Sequence, residues 1–336
     1  MNSIHRQTVR IISGISAIAI IFVILVGAIV SLGLFALIYK SATINPIVIQ
    51  TQSGLETFDS LSTGNISSWT FNGDAVTQKA IYTHFENSTG LYIGVKAAKS
   101  GEWAGYYGVT AGGNAIVFQA KVSLPQKSIS SGAFNSGLYV QTAEYPVNYV
   151  SCGAGMTPKG SYWQVVVGRG NVTLASNFNV LYFQSMTGEP LTKTCTIITN
   201  GINLLTVYIG SARVYSNTTM NLNMPQPFNS YFLVDSTTTS QILFGSFSDY
   251  SATLGTNMTV NNAPAGGSVE LVGALGNVLY TAGIGSDGSA SIQLPLNGTL
   301  TSGYVKVYSS IGNLVASDSQ INTFWGGDVY SLRSSL

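Results

Sequence analysis

Asn114-Ala115-Ile116-Val117-Phe118-Gln119-Ala120-Lys121-Val122-Ser123-Leu124 alternates with a period of two. Ile116, Phe118, Ala120, Val122 and Leu124 fall on one face; Val117, Gln119, Lys121 and Ser123 fall on the other. Such a segment suits a strand that lays one face on a core and turns the other to water. Leu91, Ile93, Val95 and Ala97 alternate in the same way with Tyr92, Gly94 and Lys96. So do Val305 and Val307 with Tyr304, Lys306 and Tyr308. Past residue 40 no helical period lasts longer than two turns, and Gly, Asn, Ser and Pro interrupt the chain every ~8–12 residues. The pattern predicts a mainly β protein built from antiparallel sheets packed face to face.

The N-terminal end is of another kind. Between Arg10 and Lys40 lie 29 residues without a charge, more than the roughly 20 that cross a bilayer as a helix. Residues 15–40 are expected to form a transmembrane or filament-core helix. Arg6 and Arg10, with His5 beside them, precede the run and Lys40 alone follows it. The excess of positive charge places the N-terminus on the cytoplasmic side and the bulk of the chain outside. A cleaved secretory signal has an apolar region of only about 7–15 residues, so this run is expected to stay in the mature protein. Gly27 and Ser31 form a small-xxx-small pair that permits close helix packing.

The stretch Ser13-Gly14-Ile15-Ser16-Ala17-Ile18 resembles the start of archaeal type IV pilins and pilin-like surface proteins. The resemblance implies a basic leader over 1–14, cleavage after Gly14 and Ile15 as the new N-terminus. Ser13 stands where that family usually has Lys or Arg, and Ala19 where many bacterial pilins carry Glu. An uncleaved signal anchor is the alternative. Residues 41–53 read as a linker.

Charged residues make up 8% of the 336 and the net charge is +1, against roughly 25% charged in average soluble proteins. No basic field is available to hold nucleic acid. Polarity comes instead from Ser, Thr, Asn, Gln and the hydroxyls of 18 Tyr. A fold with few paired carboxylates has little stability to lose on acidification, which fits an acid-exposed exterior as well as an ordinary low-charge adhesin. Cys152 and Cys195 are the only cysteines. One disulfide closing a loop of ~43 residues, worth about 4 kcal/mol, fits them; two buried thiols are the alternative. With only His5 and His84 besides, a four-ligand metal shell is not expected, nor is any cofactor.

Residues 54–254 suit a jelly roll of about a dozen strands. Glu56-Thr57-Phe58-Asp59-Ser60-Leu61 and Trp69-Thr70-Phe71 resemble the first strands of concanavalin-like lectin and glucanase domains. Ile242-Leu243-Phe244-Gly245-Ser246-Phe247-Ser248-Asp249-Tyr250 resembles their last strand. In residues 255–336 short strands are separated by Gly276-Asn277 and Asp287-Gly288, dipeptides that favour hairpin turns. Their order resembles small Ig-like sandwiches of the carboxypeptidase-regulatory type, with Trp325-Gly326-Gly327-Asp328-Val329-Tyr330 as the terminal strand. In such proteins the module is a spacer.

Little of the sequence points to catalysis. Glycoside hydrolysis needs two carboxylates about 5–9.5 Å apart, and no local E-x-D run is present; Glu86, Glu102, Glu144, Glu189 and Asp235 stand singly. His84 lacks a nucleophile elbow. Sugar binding has better candidates, because aromatic faces and side-chain amides suit C–H faces and hydroxyl rims. Trp103, Tyr106 and Tyr107 cluster, and Tyr139, Gln141, Tyr162 and Gln164 lie opposite the apolar positions of their strands. Sequons for N-glycosylation occur at Asn65, Asn87, Asn171, Asn217, Asn257 and Asn297. The sequence predicts a non-enzymatic, membrane-anchored surface protein that binds glycans or other cell-surface components. A pilin-like filament of identical subunits and a glycoside hydrolase are the alternatives.

Overall fold

A computed structural model describes residues 47–62, 68–73, 81–98, 101–109, 114–126, 128–143, 147–169, 177–186, 191–318 and 320–334. In chain order its strands begin with β1 (Ile47–Gln52), β2 (Leu55–Asp59), β3 (Thr70–Gly73), β4 (Ile81–Asn87), β5 (Gly90–Lys96) and β6 (Glu102–Val109). They continue with β7 (Val117–Ser123), β8 (Phe134–Thr142), β9 (Asn148–Thr157), β10 (Gly160–Arg169), β11 (Phe178–Met186) and β12 (Thr192–Thr199). Next come β13 (Leu205–Ile209), β14 (Ala212–Asn217), β15 (Phe228–Ser236), β16 (Leu243–Thr253), β17 (Asn257–Asn261) and β18 (Ser268–Gly273). The last are β19 (Val278–Gly283), β20 (Ala290–Gln293), β21 (Thr301–Tyr308), β22 (Leu314–Ser317), β23 (Asn322–Phe324) and β24 (Val329–Ser334).

Fifteen of these strands form a jelly-roll sandwich. One sheet has the order β11-β10-β9-β8-β15-β6-β3, and the other β14-β13-β12-β7-β16-β5-β4, with β2 added to β16. Each register in this sandwich is antiparallel, so every strand alternates between the core and an outer face. Phe118, Ala120 and Val122 of β7 turn inward to meet Phe228, Phe232, Leu138 and Trp163 of the facing sheet, all within 1% of complete burial. Two aromatic residues of this core bring a polar atom that finds a partner. Trp69 Nε1 donates to Asp59 Oδ2 at 2.8 Å, and the hydroxyls of Tyr250 and Ser230 are 2.7 Å apart. Cys152 of β9 and Cys195 of β12, both wholly buried, are joined in a disulfide that ties one sheet to the other.

The second sandwich is smaller. Its sheets have the orders β1-β24-β17-β20 and β19-β18-β21-β22, with β23 on β21. Val269, Leu271, Val305 and Val307 alternate inward onto Met258, Val260 and Tyr330 in a core separate from that of the jelly roll. β17 and β24 run parallel. Gly276 (φ 84°) makes the tight β18–β19 turn that its Gly-Asn dipeptide predicts, since a left-handed backbone costs glycine nothing.

Two expectations need correction or placement. Residues 41–53 are not merely a linker: 47–52 form β1, which pairs with β24. Ile49 of this strand packs on the smaller core. The helix expected at 15–40 and the leader junction at Gly14–Ile15 lie outside the described residues. Among the described residues no helix is long and apolar enough to cross a membrane.

The two sandwiches meet around Asp328, which is 2% exposed. Its carboxylate accepts the backbone N–H of Gly54 at 2.7 Å and of Trp325 at 2.8 Å. Burial pushes this carboxyl above its ordinary value, against the pull of those two N–H donors. Leu254 N–H donates to Gly54 O at 2.8 Å, closing the larger sandwich where its chain enters and leaves. The rings of Phe58 and Trp325 lie 5.3 Å apart beside this point.

Candidate functional site: a tyrosine-walled groove

The outer face of the seven-stranded sheet is organised in rows that cross its strands. Tyr107, Tyr231, Tyr139, Ser151, Val166 and Val180 occupy one row from β6 to β11. The next row is Asn72, Gly105, Leu233, Gly137, Gly153, Gln164 and Phe183. A third carries Trp103, Asp235, Asn135, Gly155, Tyr162 and Ser185. Gln141, Tyr149, Gly168 and Phe178 lie on the far side of the tyrosine row. Because Gly105, Gly137 and Gly153 stand in the middle row, its floor is low on β6, β8 and β9, between two taller rows. The result is a groove of about 920 Å³, within the range of small-molecule and cofactor sites.

Glycine also positions the walls. A Cβ on Gly168 would overlap the Tyr149 ring, and one on Gly155 would overlap Tyr162 and Asn135. Each ring therefore lies flat over a glycine of the adjacent strand. Aromatic contacts brace the rings further. Tyr107 stacks on Tyr231 at 5.0 Å, Tyr139 lies 5.4 Å from Tyr149, and Tyr162 lies 4.7 Å from Phe183.

Asn135 is the polar hub. Its Oδ1 accepts the Tyr162 hydroxyl at 2.7 Å and Gln164 Nε2 at 3.2 Å, while its Nδ2 donates to Asp235 Oδ1 at 2.8 Å. One amide on β8 thus fixes side chains from β10 and β15 together. Burial, and then the nearby Asp235 charge, push the phenols of Tyr149 and Tyr162 up to about 12. The same two causes, in the same order, raise Tyr139. All three hydroxyls therefore remain neutral donors and acceptors far beyond neutral pH.

Of the residues singled out by sequence, Trp103, Tyr139, Gln141 and Gln164 line the groove. Tyr162 stands at its edge, tied in through Asn135, and Tyr107 backs Tyr231. Tyr106 does not belong with them. It is 4% exposed and faces inward, because neighbouring residues of a strand point to opposite faces; its ring packs on Phe71 and His84. Sequence reasoning missed Asn72, Asn135, Tyr149, Tyr231 and Asp235. The alternation of β15, Phe228-Asn229-Ser230-Tyr231-Phe232-Leu233-Val234-Asp235, carries the signal for Tyr231 and Asp235. Asp235 is the one acid among the described lining residues, and no cluster of metal-ligating side chains occurs among the described residues.

No family model matches the chain, and no curated protein matches it. Solved structures with a similar path include a family 16 endo-glucanase from Bacteroides ovatus, at 10% identity and TM-score 0.39, covering 58% of this chain and 99% of that one. Another is a carbohydrate-binding module of the Dit protein of Lactobacillus casei phage J-1, at 10% identity and TM-score 0.42, covering 60% and 96%. A third is a carbohydrate-binding module from Bacillus subtilis, at 10% identity and TM-score 0.34, covering 57% and 99%.

Proposed function

We propose that the protein binds glycan chains in the groove of its seven-stranded sheet and carries out no bond-making there. The observation behind this reading is the composition of the lining. Tyr139, Tyr149, Tyr231 and Trp103 offer aromatic surface, and Asn72, Asn135, Gln141 and Gln164 offer amides, in one groove of about 920 Å³. Sugars present apolar C–H faces and rims of hydroxyls, and such a lining complements both. A hydrolase would need two facing carboxylates, whereas the described lining contributes Asp235 alone.

The remaining parts extend the reading. The apolar run at 11–39 would anchor the chain, with both sandwiches outside the membrane. The smaller sandwich would act as a spacer. A pilin-like assembly would use the same run as a filament core.

The test is a titration of the full chain, in detergent, against a panel of neutral and acidic polysaccharides. Binding to at least one, weakened tenfold or more by Tyr139→Ala and by Tyr149→Ala, is the expected result. Absence of binding across the panel, or binding that both variants leave unchanged, would overturn the proposal. Release of reducing sugar from a bound polysaccharide would instead favour the hydrolase.

A further inference from the structure

Four of the six Asn-x-Thr/Ser sequences fall among the described residues, and they differ in conformation. At Asn87-Ser88-Thr89, the tip of the β4–β5 hairpin, Asn87 Oδ1 accepts the Thr89 N–H at 2.8 Å and the Thr89 hydroxyl at 2.6 Å. At Asn217-Thr218-Thr219, where β14 ends, Asn217 Oδ1 accepts the same pair of donors from Thr219 at 2.8 and 3.1 Å. At Asn297-Gly298-Thr299, between β20 and β21, Asn297 Oδ1 accepts the Thr299 N–H at 3.0 Å. Asn87 and Asn297 are exposed and Asn217 is half-buried.

Asn257-Met258-Thr259 is built differently. It lies inside β17, between β24 and β20. The Thr259 N–H goes to Asp328 O at 2.8 Å, and Asn257 O accepts the N–H of Gly327 at 2.7 Å. The Asn257 amide donates to Ser291 Oγ at 3.0 Å. The Thr259 N–H that would close the turn is thus committed to Asp328, and Asn257 Oδ1 accepts the hydroxyl of Thr256 at 3.1 Å instead of a donor from Thr259.

We propose that Asn87, Asn217 and Asn297 are N-glycosylation sites and that Asn257 is not. In transfer, Asn Nδ2 forms a bond to the anomeric carbon of an activated sugar while that carbon's bond to a phosphate oxygen breaks. The phosphate leaves with the bonding pair, and the nitrogen loses a proton to a base of the transferase. The donor class is a lipid- or nucleotide-linked sugar phosphate. An acceptor amide must project from the chain with its oxygen held, and the turns at Asn87 and Asn217 hold that oxygen with both the backbone and the hydroxyl of the +2 threonine. Such turns form from bonds between residues two apart, so closing them needs no neighbouring strand. Asn257 reaches this shape only by leaving its strand. The Cys152–Cys195 disulfide supplies an independent indication of an oxidising, extracytoplasmic compartment, where glycosyl transfer to exported chains takes place.

Glycopeptide mapping of the full chain, purified from its source organism, tests the assignment. Added sugar mass is expected on the peptides carrying Asn87, Asn217 and Asn297, with the Asn257 peptide at its unmodified mass. Thr89→Val should abolish the addition at Asn87 alone and leave circular dichroism and the other two sites unchanged. Bare peptides at Asn87 and Asn217, occupancy of Asn257 equal to theirs, or retained modification in Thr89→Val would each overturn the proposal.

Discussion

At the residue scale, the groove depends on positions that have no side chain. Gly168 leaves room for the Tyr149 ring, and a methyl group there would displace the ring while leaving the core face of β10 untouched. Gly168→Ala is therefore expected to weaken glycan binding by about tenfold and to cost about 1–3 kcal/mol of stability, read by calorimetric titration and thermal melts. The tyrosines set the response to alkali. Phenols held near 12 in the fold but near 10 in the unfolded chain contribute stability that is complete below pH ~10 and lost as pH rises through ~12. Melting temperature should fall across that window, and Tyr149→Phe together with Tyr162→Phe should shrink the fall. Which aromatics share a face was legible in the alternation around Tyr139 and Tyr162. The cluster of Trp103, Tyr106 and Tyr107 does not hold together in space, because neighbours along a strand point to opposite faces and Tyr106 enters the core. Asn135 and Asp235 were invisible because their role comes from cross-strand register, which no single strand encodes.

At the scale of elements, the disulfide does what no ladder can. Backbone hydrogen bonds join strands within a sheet, but Cys152 of β9 and Cys195 of β12 join the two sheets through the core. A closed loop of 43 residues corresponds to about 4 kcal/mol of lost unfolded-state entropy. Replacing both cysteines with Ala should lower stability by about that amount in denaturant titrations, and added reductant should then have no further effect. The strands themselves were readable wherever one face is apolar and the other polar, as at 117–123. β1 was not: Ile47-Val48-Ile49-Gln50-Thr51-Gln52 is mostly exposed, and its partner β24 lies at the opposite end of the sequence, so short-range pattern reveals no neighbour for it.

At the scale of the whole molecule, Asp328 couples the two sandwiches by accepting N–H groups from Gly54 and Trp325. Asp328→Ala would strand both donors in a buried site, at about 1–3 kcal/mol each. Scanning calorimetry is expected to resolve one transition in the natural chain and two in this variant. Acid should not mimic the substitution. Burial raises the folded carboxyl's pKa, so its contribution is greatest at low pH and declines as pH rises through the folded value. With one ion pair, Lys121–Asp249, among the described residues, few other charges are at stake. The order of the strands has a further implication. β1 precedes the jelly roll and its partner β24 closes the chain, so the larger sandwich is inserted within the smaller one. During synthesis β1 must wait, unpaired, while residues 53–328 follow it, and contacts so distant in sequence form late. Only a polypeptide that reaches β24 can seal β1, so a product cut short before Val329 would emerge with an open sheet edge where proteolysis and mispairing begin.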